Sequence, residues 1–525
     1  MKVLRASDLP INYNAVDILE RNLPERADKV ALYSYERNLT FQEVANEVNQ
    51  VGNALKKLGV RPGDVVGILC PDRPEWVATF FATFKVGGIA LGMNTLLTPR
   101  EYDYILKDSR ARVLVVHESL WPSVADIVDD QPFLEHIVVV GTPQRSSDVS
   151  YAEWIQGEST ELETVLTHRD DFATLNYSSG TTGQPKGILH AHKDLPLCAH
   201  NWGVNVLGLR EDDRTFAVAK LFFTFGLGGN LIFPWYVGAS VVLFSGPPRV
   251  ATNVLEVIDR FKPTILYNAP TSYAAILAVE NFTEQYDLSS LRLCVSAGEA
   301  LPAPLWHRWK EATGLDIIDG IGSTENFHIF ISNRPDDIRP GSSGKPVPGY
   351  EARIVDEDFN DVPPGEIGNL LIKGETAALF YLHQYEKSRK TFLGEWLFTG
   401  DKYYVDEDGY YWHAGRSDDM MKVGGIWVSP VEVESTILSH EAVLECAVVG
   451  QADSAGLIKP KAFIVLKPGY EPSEELAQAI IAHCTERMAH YKRPRWIEFV
   501  EELPKTATGK IQRFKLRQAA EESVG

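Results

Sequence analysis

The sequence predicts an α/β fold with three parts: a large N-terminal domain of layered α/β sheets, a small barrel-like subdomain and a small C-terminal α+β lobe. Strand and helix patterns alternate through the first part of the chain, as a parallel layered sheet requires. After about residue 340 the pattern changes to short antiparallel strands joined by tight turns. The last hundred or so residues carry their own strand and helix order, close to the modal size of a domain.

The first helix is legible over 40–58. Val44, Val48, Val51, Leu55 and Leu58 recur at helical spacing between polar residues, and Thr40 with Glu43 matches a capping box. Gly59 closes it, and Arg61-Pro62-Gly63-Asp64 makes a turn. A buried strand is expected at 65–69, a helix at 76–88 and a strand at 89–91. Short apolar, mostly β-branched runs at 112–116, 137–140, 240–243, 265–267 and 293–295 continue the alternation. The Pro- and Gly-rich stretch 340–349 connects to strand patterns at 351–355, 368–372 and 409–413. Residues 1–417 form the expected N-terminal unit, with 340–417 as its barrel-like part. From 418 to 525 the order reads strand, helix, strand, strand, helix, strand.

A chain of 525 residues exceeds one ordinary core, so two or three domains are expected. Its 44% hydrophobic and 23% charged residues are those of a globular protein. A net charge of −20 opposes a nucleic-acid partner. The five cysteines, Cys70, Cys198, Cys294, Cys446 and Cys484, form no CxxC pair and read as buried reduced thiols. Neither a signal-peptide core nor an apolar run of about 18 residues stands out, so no membrane is expected and a cytoplasmic location is the default. A homodimer stays open.

The most informative stretch is 177–187, Tyr-Ser-Ser-Gly-Thr-Thr-Gly-Gln-Pro-Lys-Gly, between apolar runs at 172–175 and 188–189. Its three glycines, four hydroxyls and one lysine suit a polyphosphate: the backbone can approach closely, and N–H groups and Lys186 supply positive potential. Composition alone leaves an ordinary polar turn about equally open. The spacing differs from a P-loop.

This loop resembles the phosphate-binding signature of the adenylate-forming superfamily, which includes acyl-CoA ligases. Further motifs follow in the same order: Lys220-Leu221-Phe222-Phe223, Ser296-Ala297-Gly298-Glu299-Ala300-Leu301-Pro302, Asp319-Gly320-Ile321-Gly322-Ser323-Thr324-Glu325, and the tail 503–515. Together they are most similar to benzoate-CoA ligases. The resemblance implies ATP-dependent adenylation of an aromatic carboxylic acid and transfer to coenzyme A, with ATP, coenzyme A and Mg²⁺ used and AMP and pyrophosphate released. It also implies that the C-terminal lobe is mobile.

Carried over by motif, Ser178, Ser179, Gly180, Thr181, Thr182, Gly183 and Lys186 surround phosphates. Gly298, Glu299, Ala300, Asp319, Gly320, Ile321, Gly322 and Ser323 flank the nucleotide. Thr324 contacts phosphate, Glu325 holds Mg²⁺, Asp401 accepts the ribose hydroxyls and Arg416 contacts the nucleotide beside the hinge residue Asp418. Lys510 is the catalytic cation, aimed at the charge that develops on the α-phosphate. Phe223, Thr224, Phe225, Gly226, Ala297, Gly298, Ile321 and His328 line the acyl pocket, and Gly424 and Gly425 admit coenzyme A. Two pocket positions depart from the benzoate pattern: Thr224 stands where Ala is usual and Phe225 where Tyr is usual. Benzoate, a hydroxy- or aminobenzoate, a cyclic aliphatic acid and an arylacetate therefore all stay open. So do a fatty acid, an acceptor other than coenzyme A, and a non-catalytic nucleotide-binding protein.

Overall fold

The computed structural model describes residues 2–178, 185–247, 250–416, 419–423, 426–453, 457–505 and 511–522. Two large sheets dominate. The first runs Val149–Ser150, His136–Val140, Val113–His117, Val65–Leu69, Ile89–Gly92, Phe172–Ser178, Lys186–Ala191. Every neighbouring pair is parallel except the last, an antiparallel hairpin whose connection is the 179–185 loop. In the second sheet six parallel strands, in the order Ile317–Gly322, Leu293–Ser296, Ile265–Asn268, Arg214–Ala217, Ser240–Val242, Val30–Tyr33, are edged by antiparallel ones. Runs of Val, Ile and Leu buried on both faces are what a helix-covered parallel sheet demands.

The helices between the sheets explain the layering. Helix Phe41–Lys57 begins with the capping box read from Thr40 and Glu43, both of whose hydrogen bonds form. Helix Pro74–Lys85, which starts two residues before the predicted position, has almost no polar face: Trp76, Phe80, Phe81 and Phe84 are fully buried. Phe81 stacks on Trp235 with centroids 5.3 Å apart, tying this helix to the second sheet's side of the core. A helix apolar all round needs cover on every side.

After residue 350 an antiparallel sheet appears, with the expected strands Glu351–Val355 and Gly368–Lys373, the unexpected Trp396–Val405 and Phe392–Leu393, and Tyr411–Arg416, later than the 409–413 pattern, paired to Trp396–Val405. The C-terminal segment holds the hairpin Met421–Val423 and Ile426–Val428, helix Pro430–Leu438, strands Val443–Ala452 and Ile458–Leu466, helix Glu474–Arg487 and strand Trp496–Phe499. The closing helix Arg513–Glu522 went unread; its Leu516 and Ala520 bury against Ala447, Val449 and Phe463. Its low apolar content hid it. No described helix is long and apolar enough to cross a membrane.

Candidate functional site

The candidate site lies at the carboxyl ends of the second sheet's parallel strands, where α/β folds leave a crevice for ligands. Asn268 and Ser296 end two adjacent strands, and Asp319 is matched in register beside them where the parallel pairing of the third stops. In-register parallel residues project to the same face. All three are buried, and Asn268 Nδ2, Ser296 Oγ and Asp319 Oδ1 have no hydrogen-bond partner among the described residues. Burial pushes the Asp319 carboxyl up to about 8. A row of orphaned polar atoms in a close-packed fold marks a place prepared for a polar ligand.

Beyond Asp319 the chain passes through Gly320, Ile321, Gly322 and Ser323 into a 3-10 turn, Thr324–Asn326. Phe327 closes the turn at φ 68°, a left-handed conformation that costs a non-glycine residue energy unless its surroundings impose it. The Tyr381 hydroxyl donates to Glu325 Oε1 at 2.7 Å, and the Lys186 ammonium stands 3.5 Å from the same oxygen and 4.7 Å from the Tyr381 ring centroid. Burial alone would raise the Glu325 pKa. Lys186 and the Tyr381 hydroxyl more than offset it and hold the carboxyl below its usual range. Lys186 comes from the antiparallel hairpin of Phe172–Ser178 and Lys186–Ala191, opposite Ser178, whose Oγ is also buried without a partner among the described residues.

The next two predicted residues meet each other. Asp401 and Arg416 are opposite one another on neighbouring antiparallel strands, and Arg416 Nη1 lies 2.9 Å from Asp401 Oδ1. Burial pushes the Asp401 pKa upward, but the Arg416 charge and His413 hold it below the ordinary carboxylate value.

On the apolar side, Phe223 precedes the short helix Thr224–Leu227. A Cβ on Gly226 would lie 2.2 Å from the Ala219 carbonyl, so only glycine lets the chain turn there. His328 is buried. Its Nε2 lies 3.2 Å from the Phe225 carbonyl, which can only accept, so the ring hydrogen sits on Nε2. Nδ1 is then a bare acceptor, buried and without a partner among the described residues. Burial pushes the His328 pKa down to about 3, so the ring stays neutral. Trp202, Phe225 and Phe233 surround it, with centroids 4.9, 5.6 and 4.6 Å away.

Comparison with known proteins gives the chain its family. Residues 19–382 match the AMP-binding enzyme family, and residues 432–510 match the AMP-binding enzyme C-terminal domain. The chain belongs to the AMP-binding enzyme family. It is 48% identical over 518 residues to the benzoate–CoA ligase of Thauera aromatica, covering 98% of this chain and 97% of that protein. Identity to a 4-hydroxybenzoate–CoA/benzoate–CoA ligase of Rhodopseudomonas palustris is 40%, over 97% of this chain and 94% of the relative. Among solved structures, an anthranilate CoA ligase, AuaEII, in complex with anthranoyl-AMP superposes with a TM-score of 0.97 at 68% identity, covering 99% of this chain and 100% of that one. A benzoate CoA ligase from Burkholderia xenovorans gives 0.89 at 40% identity, covering 96% and 100%.

Within this AMP-binding enzyme, the predicted residues fall into three groups. Lys186, Glu325 and the Thr324 turn come together, as do Asp401 with Arg416 and Phe225 with His328. Ala297, Gly298, Glu299 and Ala300 follow the strand that carries Ser296, and Gly298 takes φ 93°. Thr224 is buried and Phe223 half-buried. Ser179, Gly180, Thr181, Thr182, Gly183, Asp418, Gly424, Gly425 and Lys510 lie outside the described residues. Tyr381 was missed. It sits between the strand Gly368–Lys373 and the helix Tyr385–Thr391 with no motif of its own, and only folding brings its hydroxyl to Glu325.

Proposed function

We propose that this chain joins an amino-substituted benzoate, 2-aminobenzoate foremost, to coenzyme A through an acyl-adenylate. It is an AMP-forming acid–CoA ligase for an aromatic acid, using ATP and Mg²⁺. One observation carries the finer choice: among the rings of Trp202, Phe225 and Phe233 sits a neutral histidine whose Nδ1 is a buried acceptor without a partner among the described residues. An unsubstituted ring leaves that acceptor unpaired. An amino group supplies an N–H to it, and sites built to hydrogen-bond a substrate group discriminate far better than apolar ones do. The likeness to an anthranilate CoA ligase supports the same choice.

In the adenylation step a carboxylate oxygen bonds to the α-phosphorus of ATP and the bond to pyrophosphate breaks. Lys510 offsets the charge gathered there, the Thr324 hydroxyl orients the α-phosphate, and Asp401 receives the ribose hydroxyls. The Mg²⁺ site fits the chain: Glu325 is ionised beside a hydroxyl residue, and Mg²⁺ is bound by one or two carboxylates plus phosphate oxygens. When bound, the ion neutralises phosphate charge. Tyr381 and Lys186 keep Glu325 ionised and oriented for it. In the second step the coenzyme A thiol bonds to the acyl carbon and AMP leaves with the electron pair of the broken C–O bond. We assign that step to a rotation of the 418–525 lobe about Asp418, which withdraws Lys510 and brings Gly424 and Gly425 to the adenylate. ATP, coenzyme A and five buried thiols suit a cytoplasmic setting.

The test is a panel of benzoate, 2-, 3- and 4-aminobenzoate, the three hydroxybenzoates, cyclohexanecarboxylate and phenylacetate. Pyrophosphate exchange and then thioester formation with coenzyme A are followed for each. The expected result is the highest kcat/KM with 2-aminobenzoate. Benzoate at parity would remove the amino-specific reading, and no exchange with any acid would remove the ligase reading.

A further inference from the structure

The strand Lys186–Ala191 touches the Thr324–Asn326 turn twice. Alternate residues of a strand share a face, so Lys186, Ile188 and His190 project together. Lys186 meets the Glu325 carboxylate. Four residues on, His190 Nε2 lies 2.6 Å from the Thr324 carbonyl oxygen. That oxygen can only accept, so Nε2 donates. Nδ1 of the same ring lies 3.0 Å from Asp194 Oδ2, which also accepts the Ala191 N–H at 3.0 Å. The imidazole is entirely buried and Asp194 nearly so.

The remaining carbonyls of the turn are held as well. The Glu325 carbonyl accepts the Ala378 N–H at 2.8 Å, and the Asn326 carbonyl accepts the Thr376 hydroxyl at 3.1 Å. Three consecutive carbonyls are thus pinned, immediately before Phe327 enters its left-handed conformation. The His190 ring also lies edge-on to Phe327, with centroids 5.3 Å apart. A strained turn keeps its shape only when its neighbours over-determine it. Of the three pins, His190 is the one that reaches the residue assigned to the α-phosphate.

We propose that His190, oriented by Asp194, is a positioning residue for adenylation: it fixes the Thr324 carbonyl and so aims the Thr324 hydroxyl and the Glu325 carboxylate at the reacting phosphate. The assignment rests on the ligase reading of the site. Pyrophosphate exchange by the unmodified enzyme, run alongside, tests that reading separately. Transition-state geometry is unforgiving, since a displacement of about 1 Å can cost on the order of 100-fold in rate.

The experiment compares His190→Leu, His190→Gln and Asp194→Asn in both half-reactions. Leu removes both hydrogen bonds, whereas Gln keeps an amide N–H near the Nε2 position. For His190→Leu, the exchange kcat should fall at least about tenfold at saturating ATP, with the acid KM within about twofold. His190→Gln should recover most of that loss. Thioester formation from supplied acyl-adenylate should stay within about threefold of the parent in every variant. An exchange kcat unchanged in His190→Leu would overturn the proposal. So would His190→Gln as impaired as His190→Leu, or equal losses in the two half-reactions. Should His190→Leu fail to fold, Asp194→Asn carries the test: exchange reduced with thioester formation spared supports the proposal, and exchange at the parental rate overturns it.

Discussion

Replacing the amino group of 2-aminobenzoate by a methyl changes the size of the substrate little and removes its hydrogen-bond donor. His328 Nε2 is committed to the Phe225 carbonyl, and Nδ1 has no partner among the described residues. Leaving a buried neutral acceptor unpaired costs roughly 1–3 kcal/mol. The methyl returns up to about 0.8 kcal/mol of apolar burial. The difference, roughly 0.2–2.2 kcal/mol, is about a 1.4- to 40-fold preference in kcat/KM for 2-aminobenzoate. Because the His328 pKa is pushed down to about 3, the acceptor is unprotonated across the working range and the ratio should not change between pH 6 and 9. Side-by-side kcat/KM measurements on 2-aminobenzoate and 2-methylbenzoate give the number directly. In His328→Leu the ratio should fall to within about twofold, because the variant has no acceptor to satisfy. Equal use of the two acids by the unmodified enzyme, or a preference that survives His328→Leu, would refute the reasoning.

Four further outcomes follow from the geometry. Tyr381→Phe takes away a donor to ionised Glu325, so the Glu325 pKa rises and the acidic limb of the exchange pH profile moves to higher pH; a limb at or below the parental position contradicts the contact's role. Lys510→Ala should lower pyrophosphate exchange at least about 100-fold while thioester formation from supplied acyl-adenylate stays within a few-fold, and equal loss in both steps contradicts the assignment. Thr224→Ala should reorder the ranking of ring-substituted acids in the panel, and an unchanged ranking removes Thr224 from the pocket wall. Asp319, with its pKa raised to about 8, is protonated in the fold but ionised in the unfolded chain above about pH 4. The unfolded state therefore binds fewer protons, and this group's contribution to stability falls as pH rises from 4 to 8. Asp319→Asn should lose that slope, so urea denaturation without nucleotide should show the variant gaining on the parent from pH 5 to 8; a constant difference would contradict it.

Much of the fold was legible because its strands and amphipathic helices obey simple periods. Val44, Val48, Val51 and Leu55 announce a helix, and Thr40 with Glu43 announces its start. The closing helix was not legible, since Arg513–Glu522 shows one apolar stripe of two residues and its fit depends on a distant strand. The site divides the same way. Residues in contiguous motifs, such as Thr324, Glu325 and Asp319, are singled out by resemblance. Tyr381 and His190 were not, because each acts on the Thr324–Asn326 turn across 50 or more positions of sequence, with separations of 56 and 134. The Asp401–Arg416 pairing was also hidden: both residues were read as ligand contacts, but their partnership depends on strand register.

That pairing and the orphaned row point to one physical design. A close-packed interior normally satisfies its polar atoms, yet Asn268, Ser296 and Asp319, side by side in register, each have one polar atom without a partner among the described residues. Each such atom costs roughly 1–3 kcal/mol in the ligand-free protein. The charged groups nearby are treated differently: Glu325 is held by Lys186 and Tyr381, and Asp401 by Arg416, so neither stands as a lone buried charge. A lone buried carboxylate would cost far more than an unpaired hydroxyl or amide. The fold therefore tolerates unpaired neutral dipoles, and a carboxyl kept neutral by burial, but supplies temporary counter-ions to its ionised carboxylates. On the proposed reading of the site, a nucleotide would satisfy the first set, exchange partners with the second and gain affinity from both.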